Sequence, residues 1–185
     1  AFFDHNSDSM YKLQTKYDFF KFFLSFILVY LNSYLVRANL PTFFINAKKA
    51  ALLNELKQCD LVFFSGGGYL TGDTPSRLYD GILLILISKI FDNKVVMTGQ
   101  TIGLWKNNLT KFLAKKAFSK VDLITTRDPQ DSINALQEIG IKGDHISHTC
   151  DDALFCDVEE DIEKVLHQSN YQDLNTEFIS CNIHY

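Results

Sequence analysis

Hydrophobic and polar positions along the chain alternate between two periods, and this pattern predicts strands joined by helices. Apolar residues at helical spacing predict helices over 19–36, 48–58, 76–91, 108–120 and 128–139. Short apolar runs predict strands at 60–64, 94–98, 122–126, 145–147 and 178–183. Residues 1–18 are polar without a strong period, which predicts a loop or a frayed end.

The alternation of strands and helices also predicts how the strands are arranged. Short connections between successive elements favour parallel strands joined by right-handed crossovers. The strands are almost continuously apolar, which indicates helices on both faces of the sheet. We therefore expect an α/β fold, a Rossmann-like parallel sheet with flanking helices. The predicted organisation is a polar segment 1–18, a Rossmann-like domain 19–175, and residues 176–185 as the first strand of a second domain or a C-terminal extension.

Composition narrows the class of protein. The chain has 185 residues, of which 46% are hydrophobic, enough to form one domain with a sizeable core. Its net charge of −4 argues against nucleic acid as a partner. The four cysteines form no Cys-x-x-Cys pair and no cleavable signal peptide is visible, which favours free thiols in the cytoplasm. The spacing of His145, His148 and Cys150 matches no common zinc pattern, so no metal site is predicted.

The helix predicted over 19–36 is unusually rich in phenylalanine. Its apolar run is bordered by Lys21 and Asn32 and is shorter than the roughly 20 residues that a spanning helix needs. A buried or partner-covered helix is the favoured interpretation. Peripheral membrane contact and a dimer contact through 19–36 are the alternatives, so the predicted cytoplasmic location includes membrane association as an option.

Three predicted strands end in segments whose composition is typical of ligand-binding loops. These segments are Ser65 to Asp73, Gly99 to Trp105, and Arg127 to Ser132. A parallel sheet brings the carboxyl ends of its strands to one edge, where α/β proteins bind ligands. We therefore expect the three segments to lie close together.

The run Gly66, Gly67 and Gly68 is the strongest of these signals. Glycines expose backbone N–H groups without a Cβ in the way, so the run predicts a cradle for an anion or a sugar. A tight strand-to-helix turn is the alternative. The spacing to Gly72 differs from the dinucleotide fingerprint, and no Gly-Lys-Ser/Thr sequence is present, so a dinucleotide site and a P-loop are not predicted.

Charged and hydroxyl side chains near the strand ends complete the predicted site. Arg127 is the best anion ligand, because it follows a strand and precedes a helix N-terminus. The alternatives are that Asp128 pairs with it or only caps the helix. Ser132 lies one turn later and faces either the same pocket or the interior. Asp151 and Asp152 are predicted to bind hydroxyls, to act as acid or base, or to cap a turn.

Taken in order, four segments resemble the polysaccharide pyruvyl transferase family. They are the run from Asp60 to Leu70, the Gly-Gln-x-x-Gly of 99–103, the Thr-Arg-Asp-x-x-x-Ser-x-x-x-Leu-x-x-x-Gly of 126–140, and Asp-Ala-Leu-Phe at 152–155. Their order and spacing over roughly residues 50 to 157 carry the resemblance. It implies a GT-B-type protein with a ligand cleft between two Rossmann-like halves, one of which this chain resembles.

The resemblance also implies a reaction and a set of binding residues. The reaction is transfer of the enolpyruvyl unit of phosphoenolpyruvate onto two saccharide hydroxyls as a ketal, with release of phosphate, in surface polysaccharide synthesis. Phosphoenolpyruvate is thus the expected donor, a saccharide the expected acceptor, and no cofactor is expected. Arg127 is implied to bind the phosphate or carboxylate of the donor. The expected substrate-binding residues are Gly66, Gly67, Gly68, Gln100, Gly103, Arg127, Ser132 and Asp152.

The chain departs from the family pattern at both ends. Residues 1–40 lack an opening strand followed by an Asn/Gly-rich loop and Gly-Asp, and no Arg-x-His motif occurs before Tyr185. We therefore expect an internal piece of a longer protein, inactive alone, with the general base elsewhere and no catalytic residue assigned. Two other functions remain open: a nucleotide-sugar glycosyltransferase of GT-B type, and a non-catalytic module that binds a saccharide or a protein partner.

Overall fold

A computed structural model describes residues 16–152 of the chain. Its helices are α1 (Lys16–Arg37), α2 (Ala47–Lys57), α3 (Pro75–Ile90), α4 (Asn108–Phe118) and α5 (Asp131–Glu138). Its strands are β1 (Leu61–Phe64), β2 (Gly67–Thr71), β3 (Lys94–Gly103), β4 (Leu123–Thr126) and β5 (Ile146–His148). Each element predicted between residues 19 and 147 is confirmed in type. The strand predicted at 178–183 and the domain boundary at 175–176 lie outside the described residues.

The described strands form one parallel sheet in the order β1, β3, β4, β5. Both β1 and β2 pair with β3: β1 lies along its first half, with Phe64 opposite Met97, and β2 along its second half, with Gly67 opposite Gln100. Together they form one edge strand that is interrupted between Phe64 and Gly67. The sheet is the parallel α/β arrangement that the sequence predicts, and the interruption lies where the sequence predicts a ligand site.

Two segments predicted as loops are strands, and those predictions were wrong. The first glycine segment contains β2, and the predicted loop from Gly99 onward continues β3 as far as Gly103. Glycine-rich composition indicates a loop, but buried backbone N–H and C=O groups still need partners. Here β2 and β3 provide them for each other, with a register shift that marks the irregularity of the pairing.

The hydrophobic core lies between the sheet and one layer of helices. Helices α3, α4 and α5 connect parallel strands that step across the sheet in one direction, so right-handed crossovers place all three on the same face. Val95, Met97 and Ile124 point from the strands into this layer and are fully buried, as is Phe118 of α4. Burying each such side chain stabilises the fold by about 1.5–3 kcal/mol.

The opposite face of the sheet differs from the expectation of helices on both sides. Leu61, Phe63 and Leu123 alternate with the buried strand residues and are 50%, 56% and 38% exposed. Within residues 16–152, the helices therefore cover one of the two faces. Apolar strands indicate that a face is covered, but they do not say which part of a protein covers it.

Helix α1 is longer than its sequence predicts. Its 22 residues extend over about 33 Å at 1.5 Å per residue, so the prediction that it is too short to span a membrane was wrong. The helix continues through the polar residues that border the phenylalanine run. By length and composition alone it passes the test for a membrane span, as core helices of soluble proteins also do. It packs against α3, with the Phe22 and Tyr79 rings 5.8 Å apart.

The buried carboxyl group of Asp80, in α3, is expected to make the free energy of unfolding depend on pH. It lines a cavity of about 630 Å³ beside β1, together with apolar residues such as Leu56 and Leu84. Burial raises the pKa of its carboxyl group to about 7, although the charge of Lys49 lowers it in part. The folded protein therefore binds a proton that the unfolded chain releases near pH 4. The free energy of unfolding should fall as pH rises from about 4 to 7, by at most about 4 kcal/mol from this group.

The variant Asp80→Asn, whose side chain does not titrate, isolates this contribution. Urea unfolding at pH 5 and pH 8 should show a smaller loss of stability for the variant than for the parent protein. An identical pH dependence of the two proteins would rule out the raised pKa.

Candidate functional site

Hydrogen bonds from side chains stabilise the interruption between β1 and β2. Ser65 and Gly66 leave the pairing with β3, and the fully buried Gln100 side chain takes the place of the lost backbone bonds. Its Nε2 donates to the Ser65 carbonyl at 2.5 Å. The Tyr69 hydroxyl donates to the same carbonyl at 3.0 Å, and burial raises the pKa of this hydroxyl, which keeps it protonated. Gln100 therefore shapes the site from inside the fold, away from solvent, which corrects its predicted role in binding substrate.

The carboxylate of Asp152 also forms hydrogen bonds at this interruption. The Gly66 N–H donates to its Oδ2 at 2.9 Å, and the Thr98 hydroxyl donates to the same oxygen. Gly99 makes this approach feasible: its φ is +52°, and a Cβ at that position would lie 2.5 Å from Asp152 Oδ1. The sequence predicts that Gly66 and Asp152 each bind a ligand. Instead, the N–H group of Gly66 is bound by the protein's own carboxylate.

Arg127 follows the last residue of β4, and its side chain faces the glycines of β2. Its Nε donates to Thr101 Oγ1 at 3.0 Å, and its Nη1 donates to Asp151 Oδ2 at 3.1 Å. Among the described residues, Nη2 has no hydrogen-bond partner. A Cβ placed on Gly68 would lie 3.6 Å from this nitrogen, so the guanidinium group and the exposed Gly68 backbone are neighbours. The predicted convergence of these two strand ends is confirmed.

The charge of Arg127 is available to a ligand. The side chains of Arg127 and Asp151 are 41% and 38% exposed, and an ion pair exposed to that degree contributes at most about 1 kcal/mol. An incoming phosphate or carboxylate can therefore replace Asp151 at little cost. The planar guanidinium group binds such anions through two parallel N–H bonds.

Ser132 does not belong to the exposed site, and its predicted ligand role is corrected. The hydroxyl is fully buried; it donates to Asp128 Oδ2 and accepts the Ile102 N–H at 2.8 Å. Burial favours a higher pKa for Asp128, but the hydrogen bonds from Ser132 outweigh it and lower the pKa. Helix α5 begins at Asp131, so Asp128 is not its N-cap, although it accepts the Ser132 N–H at 2.7 Å. Ser132 ties α5 to β3.

Gly103 is also a packing position, contrary to its predicted role in binding substrate. It is buried, and a Cβ there would lie 2.8 Å from the Ala135 side chain of α5. Its carbonyl accepts the Gly72 N–H at 2.9 Å. The absence of a side chain therefore lets a helix approach the sheet closely. Gly67 lies within β2 opposite Gln100, half-buried beneath the Tyr69 ring.

Among the described residues, the accessible part of the site thus includes the exposed Gly68 and Arg127 and the half-buried Thr101 and Asp151. The sequence did not single out Thr101, nor Thr98, which orients Asp152. Thr98 ends the predicted strand 94–98, whereas Thr101 lies in the segment from Gly99 onward, so recognising that segment as an extended strand is the signal that finds Thr101. Among residues 16–152, no group of three or more His, Cys, Asp or Glu side chains is placed to hold a metal ion.

The fold and the site define an α/β protein with an arginine and exposed glycine backbone at the carboxyl edge of a parallel sheet. The family model for polysaccharide pyruvyl transferase matches residues 2–182, nearly the whole chain. The chain therefore belongs to the polysaccharide pyruvyl transferase family. The match extends well beyond residues 50–157 and includes α1. Comparisons with curated proteins and with solved structures give no significant match.

Proposed function

We propose that this chain binds phosphoenolpyruvate and acts in the transfer of its pyruvyl unit to two hydroxyl groups of a saccharide. Family membership supports the class of reaction. The observation that supports the donor is the half-exposed Arg127 guanidinium group beside Gly68. Phosphoenolpyruvate carries a phosphate and a carboxylate, and both groups match a guanidinium fork.

The chemistry of the donor explains why such a site is needed. In ketal formation the central carbon of the enolpyruvyl unit gains two C–O bonds to the saccharide and loses its C=C double bond and its C–O bond to phosphate. Of the two hydroxyl protons, one goes to the methylene carbon and the other leaves with the phosphate. A donor with about three negative charges loses hydration on binding, and fixed cations and N–H groups offset that loss. Arg127 would hold the donor and stabilise the charge that develops on the departing phosphate.

The proposed location is the cytoplasm. Cys59 and Cys150 are free thiols, with Cys59 exposed, and this suits a reducing compartment. A saccharide acceptor follows from the family.

Isothermal titration with phosphoenolpyruvate, UDP and GDP tests the proposal against its alternatives. We expect phosphoenolpyruvate to bind and both nucleotides to fail. Tight binding of UDP or GDP would instead favour a nucleotide-sugar glycosyltransferase. Failure of all three to bind would contradict both enzymatic functions and favour a non-catalytic module.

The variant Asp151→Asn should bind phosphoenolpyruvate about three- to tenfold more tightly than the parent. The substitution removes the carboxylate that competes for Arg127 Nη1 and a negative charge beside the anion. Titration calorimetry measures the change. The matched control is Asp92→Asn, which removes the acidic partner of Arg37 in an exposed ion pair at the opposite edge of the sheet. Equal affinities for the parent and Asp151→Asn would show that Asp151 does not compete with the donor.

A further inference from the structure

Helix α1 presents one face to the core and a different apolar face to solvent. Phe26, Val29 and Ser33 are buried within the fold. The exposed face, here called the outer stripe, carries five large side chains, each 39–63% exposed. They are Phe20, Leu24, Ile27, Leu31 and Tyr34.

The spacing of the outer stripe fits a partner helix. Successive members are four, three, four and three residues apart, which is the heptad seam of two packed helices. The stripe is about 21 Å long at 1.5 Å per residue. An isolated exposed Leu is ordinary on a protein surface, but a continuous stripe of five marks an interaction site.

The charges carried by α1 itself favour a protein partner over a lipid surface. Helices that lie on membranes place Lys and Arg beside their apolar face. No charged residue occurs between Lys21 and Arg37. Arg37 is paired with Asp92 at 2.7 Å, so this end of the stripe is neutralised. Attraction to anionic lipid is therefore weak along most of the stripe.

The area of the stripe indicates a second copy of the chain. Five half-exposed large side chains present roughly 500 Å² per protomer, so two stripes bury about 1,000 Å², the minimum of a specific interface. A linear, uncharged, apolar stripe is complementary to itself, which a two-fold symmetric interface requires. We propose that the outer stripe of α1 packs against the same stripe of a second copy and forms a homodimer.

Sedimentation velocity over a dilution series of the full chain tests this proposal. We expect a species of twice the 21.2 kDa chain mass at micromolar concentration. The double variant Leu24→Glu, Leu31→Glu should raise the dimer dissociation constant at least about 100-fold, because it places four charges in one apolar interface. A control pair, Leu104→Glu and Phe112→Glu, alters apolar residues outside α1 that are at least as exposed and should leave the dimer intact.

Three results would overturn the proposal. The first is a parent chain that stays monomeric by sedimentation velocity at 100 µM. This concentration is about 100 times above a micromolar Kd. The second is a dimer that survives the double substitution in a variant with an unchanged circular dichroism spectrum. The third is a monomer that binds anionic vesicles through the outer stripe. If the double variant fails to fold, Ile27→Asn provides a milder substitution at the centre of the stripe, with weakened dimerisation expected.

Discussion

Replacing Arg127 by alanine is expected to lower the affinity for phosphoenolpyruvate about 100-fold and to leave the melting temperature within about 2 °C. Charge-assisted hydrogen bonds contribute about 1.5–3 kcal/mol each, and 1.4 kcal/mol corresponds to a tenfold change in affinity. The effect on stability is small because Arg127 is half-exposed and its ion pair with Asp151 is weak. Titration calorimetry and thermal unfolding measure the two quantities.

Two further variants test whether the guanidinium group of Arg127 binds the donor. Arg127→Lys keeps the charge but loses the planar fork, so we expect an intermediate loss of about tenfold. Arg77→Ala removes an exposed arginine that lines the cavity beside β1 and should leave affinity unchanged. A loss of affinity in Arg77→Ala but not in Arg127→Ala would place the donor in that cavity and contradict the proposed site.

Gly72→Ala is expected to destabilise the fold by at least about 3 kcal/mol. A Cβ on Gly72 would lie 1.8 Å from the Leu104 carbonyl oxygen, which is backbone and cannot move aside without disturbing β3. The shift would also break the bond from the Gly72 N–H to the Gly103 carbonyl at 2.9 Å. Urea unfolding measures the loss. A variant as stable as the parent would show that the end of β2 is not packed as described.

Gly68→Ala is the matched control for Gly72→Ala. A Cβ on Gly68 makes ordinary contact, 3.6 Å from Arg127 Nη2, so the fold should tolerate it. The same methyl group narrows the space between the strand and the guanidinium group, so affinity for phosphoenolpyruvate should fall about tenfold. A large loss of stability with no change in affinity would reverse this assignment.

The sequence predicts the general layout because that layout follows from local patterns. Apolar runs of four or five residues are recognisable as strands, and the parallel sheet brings Gly68 and Arg127 together without any knowledge of distant contacts. The end of α5 was equally predictable: Gly140 follows it, and its N–H donates to the Gln137 carbonyl at 2.9 Å.

The parts that the sequence did not predict depend on distant partners. Gly66 and Asp152 are 86 residues apart, and only the folded register shows that the carboxylate occupies the glycine N–H. Ser132 was predicted to face either the pocket or the interior. The Ile102 N–H, a buried donor that needs an acceptor, explains why it faces inward.

The extent of β3 was missed for a related reason. Local composition indicates a loop after Gly99, whereas pairing with β2 on one side and β4 on the other keeps the segment extended. This difference matters for the site, because the extended strand places Thr101 beside Arg127.

The position of the bound donor tests the central claim most directly. The measurement is a ¹H–¹⁵N correlation spectrum of the labelled chain during titration with phosphoenolpyruvate. The proposed site predicts that the largest shifts occur at the Gly68 amide and at the backbone and side-chain NH signals of Arg127. Saturation with shifts confined to Arg77 and Gly81, beside the cavity at β1, would contradict it.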